Sequence, residues 1–258
     1  LLPCTPISNF DPQITTPGAE VYTNYLENAY EFLGNEGDFY VDLGGTIYTG
    51  QQTIFYIPRA SIGEDVTQAD TVLGLAPKLL TVKGSALSSP VHDITFQGLT
   101  FSYGSWFPLE DPSNIGYIGS QSAFYSVPPA LKSGDDFPDP ANGDAIGRYV
   151  SANVEVDNAA NIAFLGNVFS HGGAAGLSMI HNVSGASVTG NIFADLSAAG
   201  LILGGLGIAD IHPCGNADNT CAAAATIGGH TVDNNLARQV ALEYNDNAAL
   251  AVFFTRNT

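Results

Sequence analysis

Large apolar residues in the middle of the chain recur in a fixed frame rather than in a helical rhythm. FLGNVFSHGGAAGL (164–177) and VTGNIFADLSAAGL (188–201) align 24 residues apart, with Gly166 on Gly190, Asn167 on Asn191 and Phe169 on Phe193. ITFQGLTFSYG (94–104) fits the same frame at an offset of 68, and TVDNNLARQ (231–239) fits it 44 residues after the second copy. Read as columns, the frame stacks Phe96, Phe164, Val188 and Val232, then Phe101, Phe169, Phe193 and Ala237. A third column runs Leu99, Asn167, Asn191, Asn235. Like residues about 4.8 Å apart are what stacked parallel strands require, and asparagines stacked at a corner can hydrogen-bond along the stack. A repeat period in the twenties predicts a parallel β-helix, that is, an all-β solenoid. After residue 90 no segment carries a capped 3.6-residue apolar period, and each repeat is too short to hold a crossover helix.

The first 88 residues follow another rule. DFYVDLGGTIYTGQQTIFYIPR (38–59) alternates apolar and polar positions, with turn punctuation at Gly44-Gly45 and Gly50-Gln51, which predicts an antiparallel β module. The expected organisation is therefore an N-terminal segment and module over 1–88 and the solenoid over 89–258. Between 105 and 152 the frame is lost in a long excursion whose aromatics, Trp106 among them, suit an ordered cover over the repeat. The chain stops at AVFFTRNT with no capping element, so the solenoid is expected to be truncated there, completed by a further chain or segment.

One column breaks the pattern of like on like. It holds Tyr103, His171, Asp195 and Gln239, four different polar side chains just after an inward phenylalanine. Sliding the last copy by one residue would put Arg238 there instead. Adjacent members stand one strand spacing apart, so His171 and Asp195 could touch, a carboxylate–imidazole pair suited to hydroxyl-rich ligands; a solvated polar ladder is the plainer reading. Further acids follow: Asp210 with His212 in GLGIADIHP, then Glu243 in ALEYNDNAAL. Glycoside hydrolysis needs two carboxyl groups, about 5–5.5 Å apart for retention or about 6.5–9.5 Å for inversion. Asp195 with Glu243 is the first candidate pair and Asp195 with Asp210 the second. His171, Tyr103, Trp106, Gln239 and His212 are the candidate substrate-binding residues.

Charge narrows the partners. The 258 residues carry 25 acidic and 7 basic side chains, a net charge of −18. Nucleic acid and anionic membrane surfaces need basic patches, and the same repulsion disfavours a polyuronate more than a neutral glycan. Of the three cysteines, Cys214 and Cys221 bracket the short CGNADNTC segment and read as a disulfide in an oxidising compartment; Cys4 is left over. Asn182-Val183-Ser184 is a glycosylation sequon, consistent with an extracellular, secreted protein. No metal-ligand spacing is present.

The run YLENAYEFLGNEGDFYVDLGGTIY (25–48), then IPR, then PVHDITFQGLTFSYGSW (90–106), resembles secreted right-handed parallel β-helix carbohydrate-active proteins, among them glycoside hydrolase family 141 and its relatives, with pectate-lyase-like proteins more distant. SHGGAAGL, GNIFADLSAAGLILGG, IHP and DNNLARQVALEY continue it in order, over roughly residues 20–258. The resemblance implies a right-handed β-helix and a polysaccharide-active enzyme whose carboxylate pair would be Asp195 and an acid near Glu243, with His171 beside them. A secreted glycoside hydrolase without cofactor is the expected function. A polysaccharide lyase or epimerase is the first alternative; it needs a basic residue near the sugar and often calcium, which the abundant acids could hold. Lys83 and Lys132 are the only lysines after Val82, and neither falls in the column. A non-catalytic structural or adhesive solenoid is the second alternative.

Overall fold

The computed structural model describes residues 29–42, 44–86, 88–106, 118–119, 124–127, 137–138, 146–149, 152–205, 228–244 and 247–253. Two compact units divide the chain, Leu1–Thr71 and Val72–Thr258.

In the first unit β1 (Phe39–Asp42) and β2 (Thr53–Tyr56) pair antiparallel, with Tyr40 opposite Phe55. The connection is clamped from inside. Asp42, only 1% exposed, accepts hydrogen bonds from the Ile47 and Thr46 backbone N–H groups and from the Thr46 hydroxyl. Those donors, the Ile47 N–H first, hold its carboxyl below the usual carboxylate range. Gly45 turns the loop at φ 60°, where a Cβ would come 2.9 Å from the Gln51 nitrogen, so only glycine fits.

The second unit begins with β3 (Leu80–Lys83), β4 (Val91–Gln97) and β5 (Thr100–Ser102). Then come β6 (Ile118–Gly119), β7 (Phe124–Val127), β8 (Phe137–Pro138) and β9 (Ile146–Tyr149), an antiparallel sheet in the order β6-β7-β9-β8. The long β10 (Ala152–Leu165) follows, then β11 (Val168–Gly172), β12 (Ala175–Ser184), β13 (Ser187–Thr189) and β14 (Ile192–Leu196). Last are β15 (Leu201–Leu203), β16 (Thr231–Asp233), β17 (Leu236–Arg238) and β18 (Leu250–Val252). One parallel sheet runs β16-β13-β10-β12-β15-β18, with β3 and β4 also on β10; a second runs β17-β14-β11-β5.

The expected all-β, right-handed parallel β-helix is corrected by this topology. The described strands make mostly parallel sheets in an open, half-barrel curl, with two short 3-10 turns besides, and no closed solenoid is shown among them. Two features produce the difference. β10 keeps its pairing on both sides of a bulge at Asn158, so surfaces that a closed coil would separate belong to one hydrogen-bonded sheet. Between β5 and β10 the chain leaves the parallel stack for the antiparallel sheet.

Within the stack the pairing follows the sequence offsets. Phe164 sits on Phe96, Phe193 on Phe169 and Val232 on Val188, which are steps of 68, 24 and 44 residues. Inward side chains make the core, with Val154, Val156, Ile162, Phe164, Leu177, Met179 and Leu203 fully buried. The phenylalanines stack face to face: Phe101 on Phe169 at 5.1 Å and Phe169 on Phe193 at 4.8 Å between ring centres. Phe169 and Phe193 are buried, each worth about 2–3 kcal/mol, and stacking adds to that.

Where the sheets bend, asparagines hold the corner. Asn191, fully buried, accepts the Asn167 backbone N–H at 2.8 Å through its Oδ1 and donates its Nδ2 to the Phe164 carbonyl at 2.9 Å. Asn167 repeats this with Leu99 N–H and the Phe96 carbonyl, and Asn235 with Asn191 N–H and the Val188 carbonyl. Backbone N–H and C=O groups at the bend, which the sheet ladders leave unpaired, are thereby satisfied. At the bulge a second asparagine pair meets side chain to side chain, Asn182 Nδ2 donating to Asn158 Oδ1 at 2.6 Å. The amide nitrogen of the sequon, the atom a glycan would be joined to, is therefore already a donor in the stack.

Asn191→Ala strips partners from the Asn167 N–H and the Phe164 carbonyl, so it is expected to lower unfolding free energy by about 2–4 kcal/mol in urea titration; a loss under about 0.5 kcal/mol would refute the ladder's role. His230 yields a pH test. It is 5% exposed, its Nδ1 accepts the Ala186 N–H at 3.3 Å, and burial lowers its pKa below the ordinary histidine value. The unfolded chain then binds the proton more readily than the folded one, so stability is full above about pH 6.5 and falls below it. His230→Leu is expected to flatten the decline between pH 7.5 and 5; equal slopes in variant and wild type would exclude this histidine as the cause.

Candidate functional site

Besides the left-handed Asn158–Asn182 pair at the bulge (φ 50° and 52°), three four-membered corners of the stack share one backbone conformation. Asp93, Asn161, Gly185 and Gly229 form the first, at φ between 53° and 68°. Gly98, Gly166, Gly190 and Asn234 form the second, at 53–70°. The third is Tyr103, His171, Asp195 and Gln239, at 50–60°. Left-handed backbone costs a side-chain-bearing residue about 1–2 kcal/mol. Glycine removes that cost and takes three of the four places at the second corner. At the third corner glycine takes none.

That third corner is the column the sequence singled out. His171 Nδ1 lies 2.6 Å from Asp195 Oδ2. A carboxylate only accepts, so Nδ1 carries the hydrogen and Nε2 is left on the far edge of the ring. Tyr103 stacks on the imidazole with ring centres 5.1 Å apart and planes 14° from parallel. Both members of the pair are half exposed, 50% and 49%, so the bond itself contributes under about 1 kcal/mol to stability. Gln239 completes the column. β17 pairs Arg238 with Ala194, and the Leu196 N–H donates to the Gln239 carbonyl at 3.0 Å, so the unshifted register holds and Arg238 stands outside the column.

Glu243 is exposed and enters from the segment after β17. Its N–H donates to the Ser197 carbonyl at 3.2 Å, and the Leu242 N–H donates to the Leu196 carbonyl. The backbone of Glu243 is thus tied two residues beyond Asp195. Trp106, three residues after Tyr103, is half-buried against the cluster of Ala152, Ala175, Ala198, Ala199 and Ile202. It meets Tyr244 edge-on at 5.1 Å, next in sequence to Glu243. Asp210, His212, Cys4, Cys214 and Cys221 lie outside the described residues.

Two polar groups escaped the sequence reading. Glu155 and Asp157 project from β10 and pair with Lys78 and Lys83. Their signal was the alternation in NVEVD, which periodicity alone assigns to a half-buried strand. His92 Nδ1 lies 2.7 Å from Asp93 Oδ2, and Asn161 Nδ2 donates to Asp93 Oδ1 at 3.0 Å. The His92 and Asn161 side chains hold the Asp93 carboxyl below its usual range. That group belongs to the first corner, not the third. Among the described residues no cluster of three or more metal-ligating side chains occurs.

No protein-family profile matches the chain. No curated protein matches it either. The solved structure of a glycoside hydrolase is similar to it, with a TM-score of 0.60 and 25% sequence identity over 84% of this chain. The match covers 35% of that protein, so the chain spans about a third of its length.

If the third corner holds polar side chains against a backbone preference, glycine there should be tolerated by the fold. Gln239→Gly is expected to leave the melting temperature unchanged or raise stability by up to about 1 kcal/mol. A loss above about 1 kcal/mol in thermal or urea unfolding would mean that the side chain is needed for packing.

Proposed function

We propose that the chain is the carbohydrate-contacting part of a glycoside hydrolase, and that its substrate meets the third corner. One observation carries the reading: four consecutive left-handed positions keep Tyr103, His171, Asp195 and Gln239 where glycine would be the cheaper residue. The similarity to a solved glycoside hydrolase supports the reaction class. The resemblance to family 141 is the finer form of the same reading, and secretion goes with it. A net charge of −18 favours a neutral cell-wall or extracellular polysaccharide over a polyuronate.

The proposed roles follow from the chemistry of each group. Asp195 supplies one carboxylate; His171 engages its Oδ2, which leaves Oδ1 for the substrate. Glu243 supplies the second, brought to the neighbouring tier by the bond to Ser197. Two such groups divide the work between protonating the leaving oxygen and assisting attack at the sugar carbon. His171 positions Asp195, and Tyr103 steadies the imidazole while offering a ring edge to the sugar. Gln239 supplies an amide, both donor and acceptor, for hydroxyl groups.

The half exposure of His171 and Asp195 favours one competing reading, a non-catalytic glycan-facing ladder, because Asp and His also tolerate left-handed backbone better than most residues. Rates separate the two. Asp195→Asn and Glu243→Gln are each expected to slow reducing-sugar release from neutral polysaccharide by about 10²–10⁴-fold with folding unchanged. Wild-type rates in both variants would remove these residues from the reaction. Absence of release by the wild-type protein from xylan, mannan and β-glucan would favour the ladder, and an unsaturated product would favour a lyase.

A further inference from the structure

The first unit exposes an aromatic face of its own. Tyr40 and Phe55 are cross-strand partners on one side of the β1–β2 hairpin, both half-buried. Tyr30 packs edge-on to both, 6.0 Å from Tyr40 and 5.0 Å from Phe55 between ring centres. Tyr48 stacks on Phe55 at 5.7 Å with planes 13° apart. The outer rings are open: Tyr48 is 56% exposed, Tyr30 41% and the adjoining Ile47 41%.

The face is held in place. Tyr48 sits in the loop whose start is clamped by Asp42 through Thr46 and Ile47, and the Gln51 N–H donates to the Tyr48 carbonyl at 2.9 Å. A ring on such a loop loses little freedom when a ligand covers it, which favours binding. Contiguous exposed apolar surface in a soluble domain marks an interaction site.

Charge and chemistry choose the occupant. Residues 29–71 hold seven acidic side chains and one arginine, within a chain of net charge −18. Anionic lipid, nucleic acid and polyuronate are repelled, and so is a second copy of the same chain. Three of the four rings are tyrosines, whose hydroxyls want a hydrogen-bonding, wet partner rather than a dry protein interface. A neutral pyranose chain meets both demands, since its C–H faces lie flat on rings while its edge hydroxyls bond to phenols and carboxylates. We propose that the Tyr30–Tyr40–Tyr48–Phe55 face is a binding platform for a neutral polysaccharide strand. The ligand class rests on the hydrolase reading; the platform itself rests on the rings.

The test is adsorption of the intact chain to insoluble cellulose, xylan and mannan, with sugar release from soluble oligosaccharides measured separately. Wild-type protein is expected to adsorb to at least one of them. The Tyr30→Ala, Tyr48→Ala double variant should lower the partition coefficient at least about tenfold, while Tyr48→Phe, which keeps the stack on Phe55, stays near wild type. Failure of wild-type protein to adsorb, or equal adsorption by the double variant, would overturn the platform. So would a concentration-dependent dimer in sedimentation velocity that the double variant abolishes, because the face would then belong to a second copy. Adsorption without sugar release would sink the hydrolase reading and leave the platform standing; release without adsorption would do the reverse.

Discussion

Parallel stacking of strands one spacing apart makes every column a shared commitment, and the structure of the second unit depends on that constraint. A residue can differ from those above and below it only in ways the common backbone allows. Where one tier turns through left-handed backbone, its neighbours must turn there too, as all three corners do. Asn167, Asn191 and Asn235 convert that repetition into hydrogen bonds, each closing the backbone of the tier beside it. The phenylalanine stacks then fill the inside of the bend at matching intervals.

The candidate site is a product of the same constraint. Because backbone and core are fixed by the asparagine and phenylalanine columns, the outward side chain at the third corner can change without shifting the register. Tyr103 above His171 above Asp195 is therefore a stack of unlike groups on a uniform frame. A loop could bring three such groups together, but it would have to lose more entropy to hold them. Here the ordering is already provided by pairing that the core requires in any case.

Much of this was legible in the chain, and for stated reasons. Offsets of 24, 44 and 68 residues could be read because glycine, asparagine and phenylalanine repeat where the geometry tolerates little else, and the strand pairing follows those offsets. The contact between His171 and Asp195 followed from a shared column one spacing apart. The left-handed conformation of the third corner was not legible, since tyrosine and glutamine carry no such signature. Nor was the course of β10, whose bulge at Asn158 keeps one sheet where a closed coil was expected; an asparagine before an alanine pair looks like an ordinary turn. Glu155 and Asp157 were hidden by an alternation that any half-buried strand would show.

The two kinds of corner separate stability from chemistry. At the second corner Gly98, Gly166 and Gly190 relieve strain, and the asparagine that follows each of Gly166 and Gly190 accepts a backbone N–H of the preceding tier; those positions answer to the fold. At the third corner the strain is carried by four side chains that stand partly in water, and the His171–Asp195 bond returns less than the backbone costs. Glycine at those four positions would relieve the same strain. The excess of backbone cost over packing is what sets this corner apart from the glycine corner.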